Sequence, residues 1–269
     1  MIFLYKFNLL ISYPMNEDKV NELTDIFNSR YEKLYAYTFR MVGNHEDTKD
    51  ILQNSYIKAF SGLDKFKGES SLTTWFYRIV INECYKHFEM LKKLPVKLIT
   101  EKLEISEQQF FESIDYEQKI DDELIIEELR ERCLFAFLKC VPKNQRVCFL
   151  LKTCLELSIE EISEVMGMSI SNVKVTLFRG RKRLQELFLH RCNLIDPKNP
   201  CKCYLWFKYM KDHNYVIPKG YNQIKNDSLR KQHFINMNNL QKIDYLYTVE
   251  ASITKYEFIN QLHDLVSTL

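Results

Sequence analysis

Three thiols and an imidazole crowd the stretch "HRCNLIDPKNPCKC": His190, Cys192, Cys201 and Cys203. Thiolate and imidazole are the ligands that zinc prefers, and a closed structural site needs four of them, usually as C-x₂₋₄-C pairs. Pro197 and Pro200 bend the intervening loop and can bring the thiols together. The last pair is only C-x-C, so the fourth ligand is open between His190 and His213. Zinc is the one cofactor this pattern would accept, and three uncoordinated thiols are the plain alternative. Nothing else in the chain needs a cofactor. No Ser/His/Asp or Cys/His set comes with an orienting third group. Six glycines include no phosphate-cradling loop, so the thiol-enzyme reading is poorly supported.

A second set of residues can bind rather than react. In "SIEEISEVMGMSISNVKVTLFRGRKRL", Ser158 and Glu161 form a capping box. Ile159, Ile162, Val165 and Met166 make an apolar stripe, Gly167 can turn the chain, and Ser169 can cap a second helix. In that second helix Val173, Leu177, Gly180, Leu184 and Phe188 face inward. A helical glycine costs about 1 kcal/mol against alanine, so Gly180 predicts a close helix crossing. Ser171, Asn172, Lys174, Val175, Thr176, Arg179, Arg181, Lys182 and Arg183 remain for a partner. A supporting helix, a glycine turn and a helix of cations and amides make a helix-turn-helix, and the partner it implies is DNA. Asn172 is the amide placed to pair with adenine in the major groove. The alternative is an ordinary helical hairpin with a solvated basic face.

Two further faces lie upstream. Asp47, Asp50 and Asn54 recur at i, i+3, i+7 with Gln53 beside them, which suits docking to a basic or polar helix as well as plain solvation. Lys67, Trp75, Arg78, Asn82 and Lys86 interleave an aromatic ring with cations and an amide. Single-stranded DNA is bound in that way, with bases on rings and phosphates on cations, although Trp75 and Phe76 also fit a core.

The elements that must position these residues are almost all helical. Apolar spacing predicts helices over 20–42, 47–63 and from Leu72 to a break at Pro95, then from 128 to Pro142, followed by the helix-turn-helix. The 269 residues carry 46% hydrophobic side chains and a net charge of only +2. That total conceals a polarity. Residues 100–131 hold 3 Lys/Arg against 12 Asp/Glu, and residues 132–215 hold 15 against 7. Cys84, Cys133, Cys140, Cys148 and Cys154 sit among apolar helical residues and read as core side chains. No secretory signal is evident, which implies a reducing cytosol and no disulfide framework. The opening "MIFLYKFNLLISYP" is too short to span a bilayer, and residues 1–14 read as an upstream extension outside the fold.

"DTKDILQNSYIKAF…LDKFKGESSLTTWFYRIVIN" resembles the promoter-melting domain of extracytoplasmic-function sigma factors of bacterial RNA polymerase. "VPKNQRVCFLLKTCLELSIEEISEVMGMSISNVKVTLFRGRKRL" resembles the second DNA-binding domain of that family. The likeness covers about residues 20–90 and 130–188, in the family's order. It implies an all-α chain: a melting domain over 15–94, an acidic linker over 95–127 near the RNA exit path, and a helix-turn-helix domain over 128–189. Residues 190–269 are a cysteine-bearing extension. The resemblance assigns Asp47, Asp50, Gln53 and Asn54 to docking on core polymerase. The region around Trp75 and Asn82, with Lys67, Arg78 and Lys86, goes to opening the minus-ten element. Ser171 to Arg183 read the minus-thirty-five element. Lys49 and Asn54 stand where the family often has acids, and Lys86 and Glu89 lie near where it often has an acid and an arginine. The implied partners are core polymerase, promoter DNA and an anti-sigma factor, with no membrane and no catalysis. A stand-alone helix-turn-helix regulator with a metal- or thiol-sensing tail is the alternative, but it leaves the Trp75 region without a role.

Overall fold

The computed structural model describes residues 17–114, 123–213 and 235–248. The extension expected over residues 1–14 lies outside them. Within the described residues the α-helices are, in order, α1 (Glu17–Val42), α2 (His45–Gly62), α3 (Leu72–Lys86), α4 (Pro95–Leu103), α5 (Glu107–Glu112), α6 (Glu123–Lys139), α7 (Lys143–Thr153), α8 (Ile159–Met166), α9 (Ile170–Phe188), α10 (Cys203–Asp212) and α11 (Asn239–Thr248). Among the described residues no strand forms beyond one bridge.

Helices α1, α2 and α3 pack on one another. Leu23, Phe27, Tyr31 and Leu34 recur by fours and threes down α1 and are buried. The last turns of α1 are buried all round, because α6 and α7 cover the second side. Gly43 then turns the chain at φ 77°; a Cβ there would lie 2.2 Å from the Phe135 ring of α6. The turn and the close approach both require glycine. Asn44 caps α2, accepting from the Glu46 and Asp47 amides.

The helix predicted to run from Leu72 to Pro95 is shorter than the sequence pattern suggests: α3 ends at Lys86. Its continuation finds partners elsewhere. The Leu91 amide donates to the Lys139 carbonyl at 2.8 Å, and Arg146 donates to the Glu89 carbonyl at 2.9 Å. Pro95 starts α4 rather than breaking α3, since its fixed φ suits the first helical position.

The acidic segment is also more ordered than a linker over its described part. Leu94, Val96, Phe110 and Phe111 are buried, and Ser106 with Gln109 forms a capping box that starts α5. Phe110 and Phe111 pack on Trp206 and Tyr209 of α10. Helix α6 begins five residues ahead of the expected 128. It crosses α1, α9 and α10, while α7 meets α9 and α11. One cluster of buried apolar residues runs from Leu23 in α1 to Tyr247 in α11.

Candidate nucleic-acid interface

Helices α8 and α9 are built as their sequence predicts. Ser158 accepts from the Glu161 amide at 3.0 Å, and the Glu161 carboxylate accepts from the Ser158 amide at 2.7 Å. Gly167 closes α8 at φ 63°, and Ser169 caps α9. Val173, Leu177, Gly180, Leu184 and Phe188 are all buried. The close crossing at Gly180 is with α7: a Cβ would stand 3.0 Å from the Gln145 carbonyl oxygen.

The opposite face of α9 is open. Ser171, Asn172, Lys174, Val175, Arg179, Lys182 and Arg183 are exposed. Val175 and Phe178 add apolar surface among the cations, 46% and 66% exposed. Such a face can follow phosphates with its cations, pair a base edge with Asn172 and touch a thymine methyl with Val175.

Arg181 differs from its neighbours. It is half-buried and forked onto Asp244 of α11, Nη2 to Oδ2 at 2.7 Å and Nε to Oδ1 at 3.3 Å. Burial raises the Asp244 pKa, and Arg181 opposes that rise without cancelling it. Tyr247, one turn along, is wholly buried. Its hydroxyl donates to the Leu134 carbonyl at 2.9 Å, its ring meets Phe149 edge-on, and the Arg40 guanidinium of α1 lies 5.4 Å from its centre. Arg40 in turn pairs with Glu131 of α6 at 3.0 Å. Helix α11 therefore touches α1, α6, α7 and α9 at one place.

On α3, Trp75, Arg78, Asn82 and Lys86 recur by threes and fours and share one face. Trp75 is half-buried, with Phe66 5.3 Å away and Gly62 beneath its edge. Phe76 is core. Asn82 and Lys67 are exposed. Lys86 shares Glu83 with Lys58. Arg78 donates to the Glu164 carbonyl of α8 at 2.7 Å, joining α3 to the first helix of the helix-turn-helix. On α2, Asp50 and Asn54 are exposed, and Asp47 and Gln53 half-buried, along one side.

The cysteines fall into two groups. Cys84, Cys140, Cys148 and Cys154 are core residues, as expected. Cys133, read from the sequence as a fifth core thiol, instead lines a cavity of about 200 Å³ together with Cys192, Cys201 and Cys203. Periodicity along α6 could not reveal this, because the partners lie some sixty or more residues downstream. His190 is exposed at φ 64° and does not line that cavity. His213 stacks on Tyr209 at the end of α10. Among the described residues no three His, Cys, Asp or Glu side chains stand at metal-holding separation.

Comparison with known proteins matches residues 26–93 to Sigma-70 region 2 and residues 131–184 to Sigma-70 region 4. The RNA polymerase sigma factor YlaC of Bacillus subtilis is 31% identical over 169 residues, 62% of this chain and 91% of that protein. The ECF RNA polymerase sigma factor SigW of the same organism is 27% identical, covering 64% of this chain and 89% of its own length. The ECF RNA polymerase sigma-E factor of Haemophilus influenzae is 26% identical, covering 59% and 83%. Among solved structures, CnrH in complex with the cytosolic domain of CnrY aligns at 16% identity and a TM-score of 0.46, over 62% of this chain and 86% of that one. The region 4 match stops at Leu184, so α10 and α11 lie beyond both matched segments.

Proposed function

The chain belongs to the extracytoplasmic-function sigma factors of RNA polymerase, and we propose that it divides the promoter between its two DNA faces as follows. It directs core polymerase to promoters and initiates transcription; bond formation belongs to the polymerase, and family membership implies no catalysis by this chain. The α9 face of Ser171, Asn172, Lys174, Val175, Arg179, Arg181, Lys182 and Arg183 reads the upstream element. The α3 face of Trp75, Arg78, Asn82 and Lys86, with Lys67, engages the melted downstream element. Asp47, Asp50, Gln53 and Asn54 on α2 dock on core polymerase. The work is done in the cytoplasm, beside the polymerase. No helix among the described residues is long and apolar enough to cross a membrane.

One observation carries the reading: two matched regions in order, each presenting an exposed polar face on its last helix. The test is run-off transcription with core polymerase on the gene's own upstream region. A discrete transcript that needs this chain supports it, and none with an active core on that template counts against it. Asp50→Lys should abolish core binding in pull-down while leaving the helical spectrum unchanged, because Asp50 is exposed. Wild-type core binding would move the dock off α2.

The described arrangement fits a closed form. Arg78 and Arg181 are both engaged inside the chain, and α11 sits against the recognition helix. Freeing Arg181 for the promoter then requires α11 to move. An anti-sigma factor, the kind of partner the family resemblance implies, would act on the same choice by holding the two regions together.

A further inference from the structure

We propose that Cys133, Cys192, Cys201 and Cys203 form a tetrathiolate site for zinc that fastens the C-terminal extension to α6. The four thiols come from three elements that the fold brings to one place. Cys133 lies in α6, Cys192 and Cys201 flank a tight loop, and Cys203 opens α10. Backbone and side-chain bonds close the loop. Cys192 and Cys201 pair as a parallel bridge. The Asn193 amide donates to the Cys201 carbonyl at 3.1 Å, and the Cys201 amide to the Arg191 carbonyl at 3.0 Å. The Asn199 side chain closes the loop onto the Cys192 carbonyl at 3.0 Å. Arg191 anchors it to α5 through both carboxylate oxygens of Glu107.

All four side chains line the cavity of about 200 Å³. A few polar groups reach this otherwise apolar wall. Trp206 Nε1 donates to Cys201 Sγ at 3.2 Å, the kind of outer contact that orients a ligating sulfur. Arg130, Arg132 and Arg191 line the same cavity. A tetrathiolate zinc site carries two net negative charges, and Arg130 and Arg132 are placed to offset them, Arg191 being already paired with Glu107.

The chemistry involves no redox change. Each of four thiols loses its proton to solvent, four sulfur–zinc bonds form at about 2.3 Å, and bound water leaves the cation. The all-sulfur set selects zinc over magnesium or calcium, which take oxygen ligands. The sulfurs line the cavity but have not closed on a point. Rotation of cysteine side chains between staggered wells relocates sulfur without moving backbone. Cys133 thus replaces His190 as the fourth ligand, since the imidazole lies outside the cavity.

The experiment is metal analysis of full-length protein purified under reductant, with Zn(II) and then Co(II) as probes. Wild type should hold about one equivalent of zinc. Its cobalt form should show the intense visible bands of a tetrahedral sulfur site. Cys133→Ser should lower zinc affinity at least tenfold in chelator competition and shift the cobalt bands. Cys148→Ser and His190→Ala should do neither. If Cys133→Ser does not fold, differential alkylation of wild type decides: zinc should protect these four cysteines and a chelator expose them together. Less than roughly 0.1 equivalent of zinc in wild type, a cobalt spectrum indifferent to Cys133, or a disulfide among the four in reduced protein would overturn the site.

Discussion

Helices α3 and α9 each carry an arginine suited to promoter DNA, and the chain restrains the two differently. Arg78 on α3 gives one hydrogen bond to a backbone carbonyl of α8, at the surface. Arg181 on α9 is forked onto a carboxylate, and a fully buried tyrosine on the same helix secures that carboxylate. The first restraint joins two regions common to the family. The second comes from a helix outside both matched segments. Arg78 is therefore held by how the two regions sit together, whereas Arg181 is held by the extension.

The sharpest way to break this contrast is Tyr247→Ala. Removing a fully buried aromatic ring costs about 3–5 kcal/mol, here taken from the docking of α11. Amide exchange in α11 should accelerate and promoter affinity rise. Unchanged protection would mean that the extension does not depend on Tyr247.

Next in size is Asn172→Ala, which should cost about 1–3 kcal/mol of discrimination at one base pair. Equal weakening on all sequences in a mutated-site binding series would reduce Asn172 to a positioning contact. Asn82→Ala tests the other helix: permanganate footprints should show less open DNA, with upstream-element binding retained.

Two of the cations of α9 give a finer comparison. Arg179→Ala should lower the salt slope of promoter binding by about 1. Arg181→Ala should lower it less while α11 is seated, and by the same amount as Arg179→Ala in a Tyr247→Ala background. Equal slopes in both backgrounds would show that Asp244 does not compete with phosphate.

The smallest effect is expected from Asp244→Ala, within about 1 kcal/mol for a pair so near the surface. The sign follows from burial raising this carboxyl's pKa beyond what Arg181 offsets. The closed form holds the proton more tightly than the open one. Closure is thus favoured below the ordinary carboxylate pKa and weakens as pH rises through the raised value. At neutral pH the apolar contact of Tyr247 does most of the holding. Amide exchange in α11 measured across acid to neutral pH, corrected for intrinsic exchange, should show this direction in wild type and lose it in Asp244→Ala.

Much of this was legible in the sequence where periodicity and caps speak. Ser158, Glu161, Gly167 and Ser169 placed both helices of the turn, and the inward stripe of α9 is buried residue for residue. Gly180 announced a close crossing, though not that Gln145 would fill it. Spacing identifies a face but not its partner. Nothing local marks Cys133 as different from Cys148, because the difference arises from Cys192, Cys201 and Cys203 folding back onto α6. The end of α3 was equally hidden, set by Lys139 and Arg146 taking backbone bonds from a segment that otherwise continues a helical pattern. Asp244 and Tyr247 lay in a polar stretch with no motif, and their role exists only once α1, α6, α7 and α9 have met.

The position of Tyr247 in the chain also fixes an order of events. Residue 184, where the matched regions end, is made 63 residues before residue 247. At roughly 5–20 residues per second, that interval is about 3–13 s. During synthesis the recognition helix exists before the helix that holds its Arg181, so each newly made copy passes through a period in which Arg181 has no Asp244 to meet. Growth rate, by setting the length of that period relative to folding, would enter the supply of open molecules without any signal acting on finished protein.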